Sequence, residues 1–300
     1  MLPNDHEIRM SRTLLSLDGL SVGDAFGECF FGSPSVWRRM AERQPPPPPW
    51  VYTDDTTMAL SIVRCLKLYG HIERDALAAS FAREYSRDPM RGYGGTAHQI
   101  LHAINAGTPW QQAAGQAFNG EGSCGNGGAM RSAPIGAYFA EDIKRVVAEA
   151  KASGEVTHAH PDGQTGAIAV ALAAAWMVRS GDSAETQGQA LVEFVLENLP
   201  QTETYHRLRQ ALKVPFEESP LTAASVLGNG GKIIASDTVP FCLWCAARHS
   251  RNYEEAIWST VSVYGDIDTN CAIVGGIVAL AAGREAIPKE WLKCREPFTV

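Results

Sequence analysis

Helical periodicity recurs from one end of this chain to the other, and that narrows the fold more than any other feature. Alanine-rich segments with apolar residues three and four apart include 58–68, 74–85, 97–106, 142–151, 166–178, 184–199, 239–249, 253–263 and 270–282. Runs that alternate apolar and polar residues with β-branched enrichment are scarce. A half-buried strand needs a period of two and an amphipathic helix a period of 3.6. The pattern therefore predicts an all-α protein of ordinary-length helices with little or no sheet. Two segments, AIAVALAAAW from Ala167 and AIVGGIVALAAG from Ala272, are rich in small residues. Small faces let helix backbones approach closely, which suits the centre of a bundle.

Breakers mark the connections without dividing the chain. Five prolines at 45–49 exclude a helix and read as a stiff surface loop leading to Trp50. Glycine clusters stand at 92–95, 120–128 and 228–231. No linker, repeat or low-complexity segment separates regions of different composition, so residues 1–300 are expected to form one domain with a large core.

Composition excludes several kinds of function. Hydrophobic residues make up 45% and charged residues 20%, as in a soluble globular protein, and the net charge is −7. No block of basic residues occurs, so stable nucleic-acid binding is not expected. No apolar run approaches the ~20 residues that span a bilayer. The N-terminal MLPNDHEIRM lacks the basic and apolar regions of a signal peptide. Seven scattered cysteines make a poor disulfide framework, and a cytoplasmic protein is expected. Cys242 and Cys245 form a lone C-x-x-C without two further zinc ligands at suitable spacing, and read as core thiols.

The chemistry concentrates in two acidic clusters more than two hundred residues apart. Thr53, Asp54, Asp55 and Thr56 lie in YTDDTTMAL; Asp266, Asp268 and Thr269 lie in GDIDTNCAIVGG. Each cluster runs into a helix-like stretch. Asp and Thr are ordinary N-cap residues, and acidic side chains are favoured at helix N-termini. The same hard oxygen donors are what magnesium-type cations require. Four carboxylates in one pocket would raise one another's pKa values unless divalent cations cancelled their charge. Spacing alone leaves both readings open.

A third candidate is FNGEGSCGNGGAMRSAPIG, from Phe118 to Gly136. Such a loop can present backbone N–H groups to an anion, with Ser123 and Asn126 as added donors and Phe118 as a stacking ring. It lacks the Lys-Ser/Thr ending of a phosphate-binding P-loop, and an ordinary turn fits equally well. His158 and His160, in THAHPDG, have no evident third metal ligand. His158 suits a hydrogen bond to phosphate or ribose, or a structural role.

Taken in order, GLSVGDAFGE (19–28), YTDDTTM (52–58), GNGGAMRSAPIG (125–136), THAHPDG (157–163) and YGDIDTNCAIVGGIVA (264–279) resemble the ADP-ribosylglycohydrolase family. The likeness runs from about Ser16 to Gly283. REYSRDPMRGYGG, FNGEGSCGNGGAMR and LGNGGKIIASDTVP bring it nearest the type that removes ADP-ribose from serine and cleaves poly(ADP-ribose). The resemblance implies a roughly orthogonal helix bundle and a metal-dependent hydrolase acting on ADP-ribose conjugates; a monomer is expected. Two magnesium ions, with manganese able to substitute, would be held by Thr53, Asp54, Asp55, Asp266, Asp268 and Thr269. Gly94, Ser123, Gly125 and Asn126 would hold the diphosphate, with His158 nearby and Phe118 stacking on adenine. Two positions depart from the pattern. The serine-specific type carries a catalytic glutamate where this chain has Phe31; the nearest acid is Glu28, which joins Asp54 and Asp55 as a catalytic candidate. A second adenine-stacking tyrosine is Cys124 here. The alternatives are an arginine- or nucleic-acid-specific hydrolase, or a non-catalytic ADP-ribose binder.

Overall fold

A computed structural model of the chain describes residues 2–32, 36–180 and 187–300. Among them are sixteen α-helices, four short 3-10 helices and no strand. Extended pairing is confined to two isolated bridges, Trp50 with Arg295 and Gly125 with Ile234. The all-α expectation is met.

In chain order the first helices are α1 (His6–Glu28), α2 (Val36–Glu42), α3 (Asp54–Tyr69), α4 (Arg74–Arg87) and α5 (Gly95–Asn105). There follow α6 (Trp110–Gly115), α7 (Ala133–Phe139), α8 (Ile143–Glu155), α9 (Pro161–Arg179), α10 (Gln187–Glu197) and α11 (Glu203–Leu208). The chain continues through α12 (Pro220–Leu227), α13 (Ala235–Arg248), α14 (Tyr253–Val261), α15 (Ile267–Ala282) and α16 (Lys289–Cys294). Every segment singled out by periodicity falls on one of these, although 184–186 of the segment 184–199 lie outside the described residues. Local chemistry sets many ends. The Asp142 carboxylate accepts from the Arg145 N–H to start α8, and Gly70, in the left-handed region at φ 71°, closes α3. Helices of six to eight residues, such as α2, α6, α7 and α12, hold too few turns to show a period.

The longest helix, α1 with 23 residues, is not among the segments that periodicity found. Gly19, Gly23 and Gly27 each lower its intrinsic propensity by about 1 kcal/mol relative to alanine. Tertiary packing explains them. A Cβ on Gly19 would collide with the Gly275 carbonyl, one on Gly23 with the Cys271 carbonyl, and one on Gly27 would lie 2.7 Å from Asp268 Cα. The contacts run in opposite order along the two helices, so α1 and α15 pack antiparallel with touching backbones. Ser16 Oγ donates to the Gly276 carbonyl (2.8 Å) and Tyr253 Oη to that of Gly19 (2.6 Å), fixing the register. The small faces of α9 and α15 are buried as expected, α9 lying so close to α7 that a Cβ on Gly136 would meet the Ala171 carbonyl.

Most of the buried apolar side chains form one contiguous cluster from Met10 to Trp291. The proline run delivers Trp50 into it. Trp50 is fully buried, donates Nε1–H to the Pro46 carbonyl, and pairs its backbone with Cys294 and Glu296. Phe26 packs against Trp50, Trp258 and Trp291. Cys242 and Cys245 are buried free thiols, burial pushing that of Cys245 up to about 12. No helix among the described residues is long and apolar enough to cross a membrane.

Candidate active site

Antiparallel contact between α1 and α15 has a consequence for charge: it brings the C-terminal end of α1 beside the N-terminal end of α15. Asp24 and Glu28 sit on the last turns of α1, Asp266 at the N-cap of α15, and Asp268 and Thr269 on its first turn. The N-terminus of α3 enters the same region, with Thr53 as N-cap and Asp54 and Asp55 in the first turn. The two acidic clusters therefore meet. Thr269 Oγ1 lies 3.5 Å from Asp55 Oδ2, and carboxylate oxygens of Asp24, Asp55 and Asp268 lie within 4.8 Å of one another.

Asp24, which the sequence reading did not single out, organises this junction. Its Oδ1 accepts from Thr53 Oγ1 (2.8 Å). Its Oδ2 accepts from the backbone N–H of Thr53 (3.0 Å) and Thr56 (3.0 Å) and from Thr56 Oγ1 (2.5 Å). One carboxylate thus caps the start of α3 from another helix. Its signal in the sequence was its spacing: an acid four residues before Glu28, on the helix that carries the glycines.

Capping does not account for the rest of the cluster. Asp55 Oδ1 and Asp268 Oδ1 are buried with no hydrogen-bond partner. Burial, reinforced by neighbouring carboxylates, pushes Asp55 and Asp268 well above the ordinary carboxylate range and Asp54 up to about 8. Burial also raises Asp24 to about 6 against its four donors, and raises Asp266. Buried carboxylates ordinarily find a cation or a donor. Oxygen-only donors, two of them without a partner, fit a hard divalent cation. Helix capping is realised at the first cluster as well: Thr53 Oγ1, its proton given to Asp24, accepts from the Asp55 N–H.

The glycine loop lies against this cluster. Asn126 is buried and donates its amide hydrogens to Asp266 Oδ2 (2.6 Å) and Thr238 Oγ1 (3.0 Å), tying the loop to α15 and α13. Ser123 is buried, its Oγ accepting from the Gly125 N–H. A Cβ on Gly125 would come within 3.1 Å of Ser123 Oγ and 3.3 Å of His158 Nε2, so these groups border one small space over the turn. Gly94, the N-cap of α5, faces open space. Phe118 is 58% exposed, on a turn with φ 52°, free to lie against a flat ligand. His160 does not join His158; its Nδ1 accepts from the Asp162 N–H and caps α9.

Glu28 is exposed, but partial burial of its carboxyl and the charge of Asp24 raise its pKa. Phe31 is 44% exposed and brings no carboxylate to the cluster. Sequence reasoning also passed over Arg131 and Thr157, buried beneath the loop.

The profile of the ADP-ribosylglycohydrolase family matches residues 5–299. The chain is 30% identical over 280 residues to the ADP-ribosylhydrolase ARH3 of Gallus gallus, covering 82% of this chain and 74% of that protein. It is 29% identical to the Homo sapiens protein of the same name, covering 96% of this chain and 90% of that one. A solved structure described as an ADP-ribosylglycohydrolase-related protein complex superposes with a TM-score of 0.66 at 25% identity, over 97% of this chain and 94% of that chain.

Proposed function

The chain belongs to the ADP-ribosylglycohydrolase family and is a glycoside hydrolase, and from that premise we propose that it is a magnesium-dependent ADP-ribosylhydrolase. It cleaves the C1″ ribose linkage of ADP-ribosylated acceptors, with serine-linked ADP-ribose or poly(ADP-ribose) as the favoured substrates. It acts as one catalytic domain over residues 1–300 and as a monomer. The observation that carries the reading is the junction itself. Two acidic clusters distant in sequence converge with unpartnered buried oxygens on Asp55 and Asp268, beside a glycine loop tied to Asp266 through Asn126.

Each group has a role that its surroundings suit. Thr53, Asp54, Asp55, Asp266, Asp268 and Thr269 would hold two magnesium ions, or manganese in their place. Bound there, the ions would supply Lewis acidity at the distal ribose and cancel the charge that the carboxylates share. Backbone N–H groups around Gly125, with Gly94, Ser123 and His158, hold the diphosphate, and Phe118 stacks on adenine; Asn126, expected among these donors, has both amide hydrogens engaged by Asp266 and Thr238 and instead fixes the turn. These remote contacts position C1″ for attack. Water adds to C1″ as the bond to the acceptor atom breaks, through an oxocarbenium-like transition state. Glu28, raised in pKa and open to an approaching conjugate, gives its proton to the departing acceptor atom. Asp54 or Asp55 takes the proton from water.

Release of free ADP-ribose from serine-, arginine- and DNA-linked conjugates, with magnesium and with excess chelator, tests the reading. Magnesium-dependent release from the serine-linked conjugate is expected. Release that persists in chelator ends the metal assignment; ADP-ribose binding without release from any conjugate leaves a binder. The exposed Phe31, at the place of the serine-specific type's glutamate, favours one second reading, an arginine- or nucleic-acid-linked acceptor, which the same panel detects.

A further inference from the structure

Arg131 is 1% exposed, and no carboxylate among the described residues lies within ion-pair distance of it. Its guanidinium instead lies over the Phe81 ring at 4.5 Å and donates to the Ser153 carbonyl (3.1 Å), to Thr157 Oγ1 (2.8 Å) and to Met58 Sδ (3.4 Å). Its Nε has no partner. A buried cation without a direct ion-pair partner is costly, and burial, only partly offset by the more distant charges of Asp54 and Asp55, lowers the pKa of this one to about 9. Helix packing alone would be served as well by a methionine or leucine.

The next atoms along give the guanidinium a purpose. Thr157 Oγ1, which accepts from Arg131, lies 2.8 Å from His158 Nδ1 and makes no other side-chain hydrogen bond among the described residues. Arginine can only donate, so the hydroxyl must accept on that side. If the hydroxyl also accepted from an Nδ1–H, its own proton would be left buried without an acceptor. The arrangement that satisfies both the hydroxyl and Nδ1 has Thr157 donating to a bare Nδ1. A neutral ring then carries its proton on Nε2. Burial and the Arg131 charge hold His158 neutral, lowering its pKa to about 3. The Nε2 edge faces the turn: a Cβ built on Gly125 or on Gly127 would lie 3.3 or 3.4 Å from it. Gly163 backs the ring, where a Cβ would lie 3.1 Å from Cδ2.

We propose that Arg131 and Thr157 are positioning residues that lock His158 as its Nε2–H tautomer, so that the ring can only donate, at the 125–127 turn, to an anionic phosphate oxygen of the ligand. The phosphate role rests on the functional reading above; the lock does not. A donor that stays neutral and never becomes an acceptor holds a diphosphate without bringing a mobile proton near the carboxylates.

The test is a long-range proton–nitrogen correlation spectrum of the free 15N-labelled full chain, with His158 assigned by loss of its signals in His158→Gln. A bare Nδ1 and a protonated Nε2 are expected from pH 5.5 to 8. Thr157→Ser keeps that pattern, whereas the isosteric Thr157→Val gives a mixture or the Nδ1–H form. Calorimetry with ADP-ribose should show about tenfold weaker binding for Thr157→Val and near-normal binding for Thr157→Ser. A protonated Nδ1 in the unsubstituted chain, or an unchanged pattern in Thr157→Val, overturns the lock. A confirmed lock together with no ADP-ribose binding by the unsubstituted chain overturns the phosphate role and the functional reading with it.

Discussion

Among the buried acids, Asp24 and Asp268 differ in what surrounds them, and the difference predicts opposite consequences of removing each. Asp24 accepts four hydrogen bonds from the start of α3. In Asp24→Asn an amide hydrogen must face donors on one side. Loss of bonds to a charged acceptor is worth about 1.5–3 kcal/mol each at most, so an unfolding free energy lower by about 2 kcal/mol is expected. Urea denaturation of the metal-free protein checks it. Asp268 has an unpartnered buried oxygen among like charges. Asp268→Ala should therefore leave metal-free stability equal or higher, because it removes a buried repulsion, while abolishing turnover and divalent-cation binding. Near-normal turnover in Asp268→Ala would refute the metal site. Glu28→Gln should lose turnover while cation and ADP-ribose affinities stay within about twofold, since Glu28 acts at the departing atom and not in binding. Steady-state rates beside binding titrations separate those effects.

At the level of elements, the site depends on how closely α1 and α15 approach. Gly23 touches the Cys271 backbone, so a single methyl forces the helices apart. Gly23→Ala gains up to about 1 kcal/mol of helix propensity but incurs overpacking of typically 1–3 kcal/mol, so a net loss of stability is expected. The displacement also separates Asp24 from Asp268, and magnesium affinity should fall with it. Equilibrium denaturation and a magnesium titration on the same sample measure the two effects. A variant more stable than the parent with unchanged affinity would show that the glycines do not set the distance. Arg131 on the way into α7 and Thr157 after α8 carry the corresponding logic for the glycine loop: helices fix the donors, and the loop takes its position from them.

The molecule as a whole couples its stability to pH through this charge cluster. The folded pKa values of Asp24 and Asp54 are raised from 3.8 to about 6 and about 8. A raised carboxylate pKa means that the folded state binds protons more tightly than the unfolded one. The associated stability is fully present below about pH 4 and is lost as pH rises through about 6 to 8. Metal-free protein should thus melt at a lower temperature at pH 8 than at pH 5. Magnesium should raise the melting temperature more at pH 8, where the ligands are ionised, than at pH 5. Thermal scans at both pH values, with magnesium and with chelator, decide it. An equal magnesium effect at the two pH values would show that these carboxylates do not bind the ion.

Much of this was legible in one dimension, because helix periodicity and oxygen-ligand chemistry are local properties. The sequence by itself determined the all-α class, the central helices with small faces, and the Thr-Asp-Asp and Asp-x-Asp-Thr runs as ligand-type or capping residues. It showed Glu28 as the acid nearest the family's glutamate position. It did not determine that the two acidic runs meet, since a contact between Asp55 and Thr269 across 214 residues has no local signature. It concealed Asp24 and α1 for a related reason: three glycines look like poor helix until the partner backbone that requires them is in place. Nor could it assign Thr157 between Arg131 and His158, because a hydrogen-bond chain exists only once burial has removed water as the alternative partner. Tertiary structure alone decided those points, by bringing backbones into contact and leaving particular polar atoms with one partner or none.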